Sequence, residues 1–410
     1  SDLDEVNLSS DFTGNKNYQL HLTSTYRKLK ILDTLLTSQK ETKTLLNRLE
    51  HYLNLWKGIM SATTTYEVGT GQERKLEYYY LKVTAGQGTY AWNDYNSDGI
   101  QQLNEFEITQ FSDRAEYVKV YTHTNKFIST RTNQFSEVLN LNPAAGYQSF
   151  EGKTPIISRF ANLFSVRLDK KTINEDVFRS LNPFDKKIND TSLVTNNSVY
   201  RNTLYFNRTS IKFGCDMTWQ KNESKSLLTS GLESREQTLY EANGRWNISR
   251  LLLLSMNYQN GDKTNSSQFF SSRNYRILSE SAEPKITLQP SVSFRTSFSY
   301  KYSQKENTEG DFGEKIFTNK LGVEIKYSAR SAGSITGKFN YIDILFNADE
   351  NSSLAYDMLE GLNKGKNMTW NLSAQRNLGA SMELSLNYDG RKSETSKTVH
   401  TGGVQFRAYF

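Results

Sequence analysis

The segment Leu321-Gly322-Val323-Glu324-Ile325-Lys326-Tyr327-Ser328-Ala329-Arg330 alternates larger, mostly apolar side chains with polar or small ones. Successive side chains on an extended chain point to opposite faces, so this pattern makes a strand with one apolar and one polar side. The same period of two recurs elsewhere. Met382, Leu384, Leu386 and Tyr388 alternate with Glu383, Ser385, Asn387 and Asp389. Val292, Phe294, Phe298, Tyr300 and Tyr302 stand against Ser293, Arg295, Ser297, Ser299 and Lys301. Ile211, Phe213, Cys215, Met217 and Trp219 oppose Lys212, Asp216, Thr218 and Gln220, and Tyr240, Ala242, Trp246 and Ile248 oppose Glu241, Asn243, Arg245 and Asn247.

A soluble β-sandwich alternates too, but three features favour a membrane wall. The segments run to about 10–14 residues, the length of a tilted membrane strand, against about 5–6 for a soluble one. Aromatic residues gather towards segment ends, where interface girdles sit. The connections also alternate in length. Backwards from the C-terminus they read long (389–397), tight (378–380), long (348–366), tight (330–333) and long (303–314). The rhythm continues with 283–285 short, 259–267 long, 247–250 short and 220–236 long. Short periplasmic turns and long extracellular loops are how transmembrane barrels are built. The expectation is an all-β, antiparallel outer-membrane barrel over residues 1–410, with roughly 16–20 strands.

Composition agrees. Mean hydropathy is −0.67, and the longest apolar run, Leu251–Leu254, is far short of the ~18 residues that a spanning helix needs. A barrel strand shows lipid only every second side chain, so a polar average does not exclude it. Aromatics make up 12% of residues and only 5 prolines occur, as long continuous ladders require. The ending Gly402-Gly403-Val404-Gln405-Phe406-Arg407-Ala408-Tyr409-Phe410 reads as a last strand that closes the barrel, with Phe410 at the periplasmic rim. The N-terminal part is less decided. Leu46, Leu49, Leu53, Trp56 and Met60 have helical spacing, but Leu49, His51, Leu53 and Leu55 followed by Thr63–Val68 favour strand. Residues 169–197, with Asn182-Pro183, read as a polar loop. No signal peptide is read at Ser1, so one was removed or a longer N-terminal region precedes it.

The net charge of +6 is spread among interspersed acids and bases, which speaks against a nucleic-acid groove. The single cysteine excludes an internal disulfide and a cysteine-rich metal site. His21, His51, His123 and His400 lack metal spacing, and no nucleophile elbow or phosphate-cradling glycine loop is present. No catalytic residue is therefore assigned. Arg245, Arg295, Glu324, Lys326, Arg330 and Glu383 fall on the polar, lumen-facing parity and read as a hydrated network of mixed sign. The sequons at Asn207, Asn222, Asn265 and Asn371 read as ordinary polar-face residues.

One motif carries chemistry. Asp94-Tyr-Asn96-Ser-Asp98-Gly99-Ile100-Gln-Gln102-Leu-Asn-Glu105 fits the twelve-residue calcium loop pattern D-x-[DN]-x-[DN]-G-x5-E. Asp94, Asn96 and Asp98 offer oxygens to one centre, Gly99 permits the sharp turn, and Ile100 supplies a backbone carbonyl. Gln102 acts through a water and Glu105 closes the shell with both oxygens. Hard oxygen donors without His or Cys suit calcium over zinc or copper. The expectation is a structural calcium clip in an insertion at 86–114. Its side of the membrane depends on residues 117–141: one long strand puts it outside, and a break at Asn125 puts it in the periplasm.

The run Gly86-Gln-Gly88-Thr-Tyr90-Ala-Trp92-Asn-Asp94 on to Asn104-Glu105-Phe106-Glu107, together with Gly390–Val404, resembles the C-terminal part of large, poorly characterised outer-membrane proteins of Bacteroidota. That resemblance implies a barrel seated in an envelope assembly for secretion, barrel assembly or nutrient uptake, with no settled activity. The functional expectation is a non-enzymatic structural or accessory subunit, with a transporter or channel as the alternative. Its expected partners are outer-membrane lipid, lipopolysaccharide and other outer-membrane or surface proteins, with no nucleic acid.

Overall fold

The computed structural model describes residues 2–30, 41–109, 111–146, 155–173, 182–184, 193–228, 231–268, 270, 273–310, 313–329, 333–379 and 381–408. The strands in chain order are β1 (Asp2–Asn15), β2 (Tyr18–Lys30), β3 (Thr42–Leu55), β4 (Met60–Lys82), β5 (Tyr90–Trp92), β6 (Phe106–Ile108) and β7 (Tyr117–Leu141). Next come β8 (Phe160–Ile173), β9 (Leu193–Phe206), β10 (Phe213–Leu228), β11 (Gly231–Asn247), β12 (Leu252–Ser267) and β13 (Tyr275–Leu288). The wall ends with β14 (Phe294–Asn307), β15 (Lys315–Ala329), β16 (Gly333–Phe346), β17 (Gly365–Asn377), β18 (Met382–Ser393) and β19 (Val399–Ala408). Apart from the three-residue β5 and β6, each long strand pairs antiparallel with the next, and β4 pairs with β7 across the insertion. This is an up-and-down meander of 17 long strands, within the expected range. Among the described residues β19 pairs only with β18 and β1 only with β2, so the expected closure by the last strand is not seen.

The register fixes two faces with inverted polarity. On one, Met217, Leu321, Ile325, Val404 and Phe406 are all among the exposed large hydrophobic residues. On the other, Thr203, Thr218, Thr287 and Ser297 are buried and bonded across strands, at 3.0 Å for both Thr203–Thr218 and Thr287–Ser297. Asn243 and Asn257 extend this polar lining through Asp216 and Glu241. A soluble protein places its apolar residues the other way round. The exposed apolar belt ends in aromatics (Trp219 beside Tyr240, and Leu321 between Tyr300 and Tyr341), beyond which outward positions become Lys221, Gln304 and Asp343. An apolar band bounded by an aromatic girdle, on strands that satisfy one another's backbone groups, is a bilayer-facing surface. The protein is a transmembrane β-barrel wall of the bacterial outer membrane.

The ladders do not stop where the alternation stops. Residues 220–228 and 231–236, expected in a long loop, are β10 and β11 joined by two residues. Likewise 259–267 belong to β12, 303–307 to β14 and 389–393 to β18. Above the girdle both faces meet water, so polarity no longer alternates although the backbone bonds continue. At the opposite rim the error reverses: Ile211 and Val292 continue the pattern but lie in turns, 87% and 95% exposed. The turn expected at 283–285 is the middle of β13. Pro284 keeps its register with Met256, while its ladder to β14 skips Glu283 and Pro284, since proline has no N–H to donate. Residues 46–55 are strand, as favoured. Trp56, Lys57 and Gly58, all at positive φ, turn β3 back into β4. Phe410 and the turn residues 330–332, including Arg330, lie outside the described residues, as does most of 174–192.

β7 is one strand of 25 residues. Near Asn125, where a break was considered, its register with β4 only shifts, between Arg74 and Leu76, as at a bulge. β3 accompanies β4 only as far as Gly69, and β8 accompanies β7 only from Thr130. Beyond those points β4 and β7 continue as a two-stranded ribbon. The ribbon carries the insertion on the side opposite the end of β19, the side of the long connections, which is the cell exterior.

Replacing Ile325 or Leu386 by Arg is expected to cost about 2–4 kcal/mol near the bilayer midplane. The same change at Glu324 or Ser385 is expected to cost much less. Reversible unfolding into lipid vesicles measures both, and equal costs at the two parities would contradict the assignment of faces.

Candidate functional site

The calcium-type loop folds as a compact turn. Ser97 and Gly99 adopt left-handed φ values of 59° and 72°, which only glycine takes without strain. The Asp98 and Gly99 amides donate to Asp94 at 3.2 and 2.9 Å, and the Ile100 amide donates to Asp98 Oδ1 at 2.6 Å. Asn96 Nδ2 and Gln102 Nε2 both donate to Asp98 Oδ2 at 2.9 Å. Glu105 Oε2 accepts from Trp92 Nε1 at 2.8 Å and from the Gln102 amide at 3.2 Å. One carboxylate oxygen each of Asp94, Asp98 and Glu105 lie within 4.8 Å of one another. Of the six expected ligands the fold thus gathers these three, with Asn96 and Gln102 touching Asp98, while the Ile100 side chain points to solvent. Glu105 is only 1% exposed, and a buried carboxylate demands strong donors or a cation. The donor set therefore fits a hard divalent ion.

β5 and β6 pair with each other on either side of this loop, and Tyr90 joins the pair to β7. Gly88 is obligatory here. A Cβ on it would sit 2.6 Å from Ala115 O and from the Tyr117 amide, both backbone atoms. The insertion does not stand free. Glu107 on β6 reaches Arg273, in the β12–β13 connection, at 3.5 Å and accepts from Ser353 Oγ at 2.6 Å. Asp113 pairs with Arg391 of β18, whose guanidinium lies 4.2 Å over the Phe111 ring. Asn351 Nδ2 donates to Tyr95 O at 3.3 Å. Ribbon and insertion thus cross the mouth of the barrel from β4–β7 to the walls at β12–β13 and β16–β18.

The β16–β17 connection, expected as loop throughout, holds a helix, α1 (Ser353–Leu359). Ser352 caps it by accepting the Ala355 amide at 3.0 Å, and Glu360 in the left-handed region ends it. Ala355, Met358 and Leu359 pack against Tyr275, Ile277, Ile316, Ile342 and Ile344 on the inner wall. Lys263 Nζ holds Asp357 at 2.6 and 2.8 Å, Tyr275 OH donates to it at 2.5 Å, and Lys305 holds Glu360 at 2.7 Å. Burial alone would raise the Asp357 carboxyl, but the Lys263 charge and the bonds from Lys263 and Tyr275 outweigh it and hold the group low. Burial pushes Glu107 up against the pull of Arg273 and Ser353, and burial pulls Lys119 down.

Four of the six expected lumen charges have local partners among the described residues. Arg245 Nη2 donates to the carbonyls of Arg208 and Ser210, at 2.7 and 3.0 Å, and clamps the 207–212 turn. Arg295 donates to Gln289 at 3.3 Å, Glu324 lies 3.7 Å from Lys338, and Glu383 accepts from Ser385 at 3.3 Å. Sequence reading missed the latch residues Glu107, Arg273, Ser353, Asp357 and Arg391. Only α1 had a legible signal, its Ser352 cap followed by the apolar pairs Leu354–Ala355 and Met358–Leu359.

No protein-family model matches the chain, and no curated protein does. Among solved structures it is similar to the alcaligin outer-membrane receptor FauA of Bordetella pertussis: TM-score 0.46, 11% identity, 97% of this chain and 60% of that one. It is also similar to the ferric-catecholate import receptor Fiu of E. coli K12, at TM-score 0.42 and 9% identity over 95% of this chain and 63% of that one. The ferripyoverdine receptor of Pseudomonas aeruginosa follows, at TM-score 0.35 and 11% identity over 98% and 62%. The chain spans about three fifths of these receptors' length, and nothing about its ligands or partners follows from so distant a likeness.

Asp357→Asn is expected to loosen α1 and expose 347–364 to protease, at a cost of about 1–3 kcal/mol. The folded-state carboxyl is held below its unfolded value near 4. Its stabilisation is therefore complete above about pH 4 and is lost as pH falls through the folded value. Cleavage of the wild type in 347–364 is expected to rise on acidification below pH 4, and the variant is expected to show a smaller rise, left to Glu360, whose carboxyl Lys305 also holds low against the effect of burial.

Proposed function

We propose that this chain is the barrel of a non-enzymatic outer-membrane protein that serves as an accessory or docking subunit of an envelope assembly, with the external cap as its working surface. The observation that carries this reading is the cap itself. Residues 83–116 and 347–364 meet across the mouth through Glu107, Arg273 and Ser353, which supports an ordered outward surface. Membership of the Bacteroidota family is part of the same proposal, as are lipopolysaccharide and other surface proteins as neighbours. Transport of a solute through the lumen is the second reading, favoured by the cavity beneath the cap.

Calcium is the cation proposed for the loop, held by Asp94, Asn96, Asp98 and Glu105, with the Ile100 carbonyl and a water on Gln102. Its role would be mechanical. Three converging carboxylates repel one another without a cation, each pair by about 1 kcal/mol in water at ~4 Å and more where buried. Glu105 also lies on the same short segment as the latch residue Glu107. Metal therefore supports the cap, while the barrel strands keep their own backbone bonds without it.

Chelation on intact cells is expected to open new protease sites within 86–114 while the barrel stays folded. Unchanged protection, also in cells with permeabilised outer membranes, would count against the clip. Replacing 86–114 by a Gly-Ser linker is expected to abolish co-purification of partners from native membranes and to raise conductance in planar bilayers. A wild-type protein that purifies alone and conducts ions would sink the docking reading in favour of transport.

A further inference from the structure

Beneath the cap lies a cavity of about 140 Å³, bounded by the ribbon and insertion, by β11–β13 and by α1. One side is aromatic. Tyr80 and Phe106 are stacked at 4.0 Å with 9° between their planes, and Tyr90 meets Tyr80 edge-on at 5.0 Å. The volume is close to the ~150 Å³ that accommodates a single benzene-sized ring. The other side is charged. Lys263 is taken up by Asp357 and Glu360 by Lys305. The remaining charged lining groups are Lys119, Arg235, Arg273, Glu107 and Glu233.

Two guanidiniums are incompletely used. Arg273 is 8% exposed, yet its Nε–H has no hydrogen-bond partner among the described residues, although a terminal nitrogen meets Glu107. A buried donor left unpaired is costly, and natural structures keep few of them. Arg235, at an exposed position, lines the same cavity without an ion-pair partner among the described residues. A guanidinium N–H makes a strong charge-assisted hydrogen bond to a carboxylate oxygen, and the aromatic side of the cavity suits a ring rather than an inorganic phosphate.

We propose that this cavity binds a small carboxylate-bearing ring compound, its carboxylate between Arg235 and the unpaired Nε–H of Arg273 and its ring along Tyr80 and Phe106. The compound is a sugar acid or an aromatic acid, which share this chemistry. The inference holds whether the cap docks proteins or the lumen passes solutes.

Calorimetric titration of the whole protein in detergent with calcium present tests it, using glucuronate and 4-hydroxybenzoate, with glucose and phenol as their neutral counterparts. One acid is expected to bind at one equivalent, at least tenfold more tightly than its counterpart and than inorganic phosphate. Which acid binds identifies the source. Arg235→Gln, at an exposed position, is expected to weaken binding at least tenfold without changing thermal unfolding. Arg273→Lys keeps the charge, loses the planar edge and is expected to weaken binding as well. Absence of binding by both acids, equal binding of a neutral counterpart or of phosphate, or an unchanged affinity in Arg235→Gln would overturn the proposal.

Discussion

A backbone amide in hydrocarbon has no water to bond to, and every other feature of the wall answers to that. The ladder between neighbouring strands has to run unbroken through the bilayer, which explains strands of 13–17 residues in β8–β17 and a chain with 5 prolines. Pro284 is tolerated because it gives up its ladder on the β14 side alone. Once the ladder is fixed, side chains have only two places to go. Large apolar residues take the lipid face, and Ser, Thr, Asn and paired charges take the other.

Outside the bilayer the same backbone has more freedom, and the cap uses it. The β4–β7 ribbon extends past its neighbours, and between its arms the chain leaves strand geometry for a calcium-type turn and two very short strands. What gives this irregular segment a definite shape is a small set of contacts made far away in sequence: Glu107 with Arg273 and Ser353, and Asp113 with Arg391. Close approach of Gly88 to the 115–117 backbone allows the insertion to lie flat against the ribbon. Helix α1 fills the adjacent mouth and buries Met358 and Leu359 against inner-wall isoleucines.

The membrane-embedded half of each strand was legible because period-two alternation there is enforced by two different solvents. Strand ends were not. At the outer end residues such as Lys221, Asn222 and Glu223 meet water on either face, so nothing in their polarity marks the ladder that still holds them. At the inner rim Ile211 and Val292 keep an apolar character beyond the last ladder bond. The turn from Asp94 to Glu105 was readable from sequence because the residues that bond one another in it are local. The latch was not, because Glu107 and Arg273 stand 166 positions apart and acquire their meaning only when the ribbon crosses the mouth.

The insertion faces the cell exterior and the tight turns face the periplasm. Single cysteines introduced in a Cys215→Ser background, one at Ser97 in the calcium-type loop and one at Ser249 in the β11–β12 turn, test it directly with a maleimide that cannot cross the outer membrane. Ser97→Cys is expected to react on intact cells, and Ser249→Cys only after the outer membrane is permeabilised. Labelling of Ser249→Cys on intact cells with protection of Ser97→Cys would invert the topology and contradict the account.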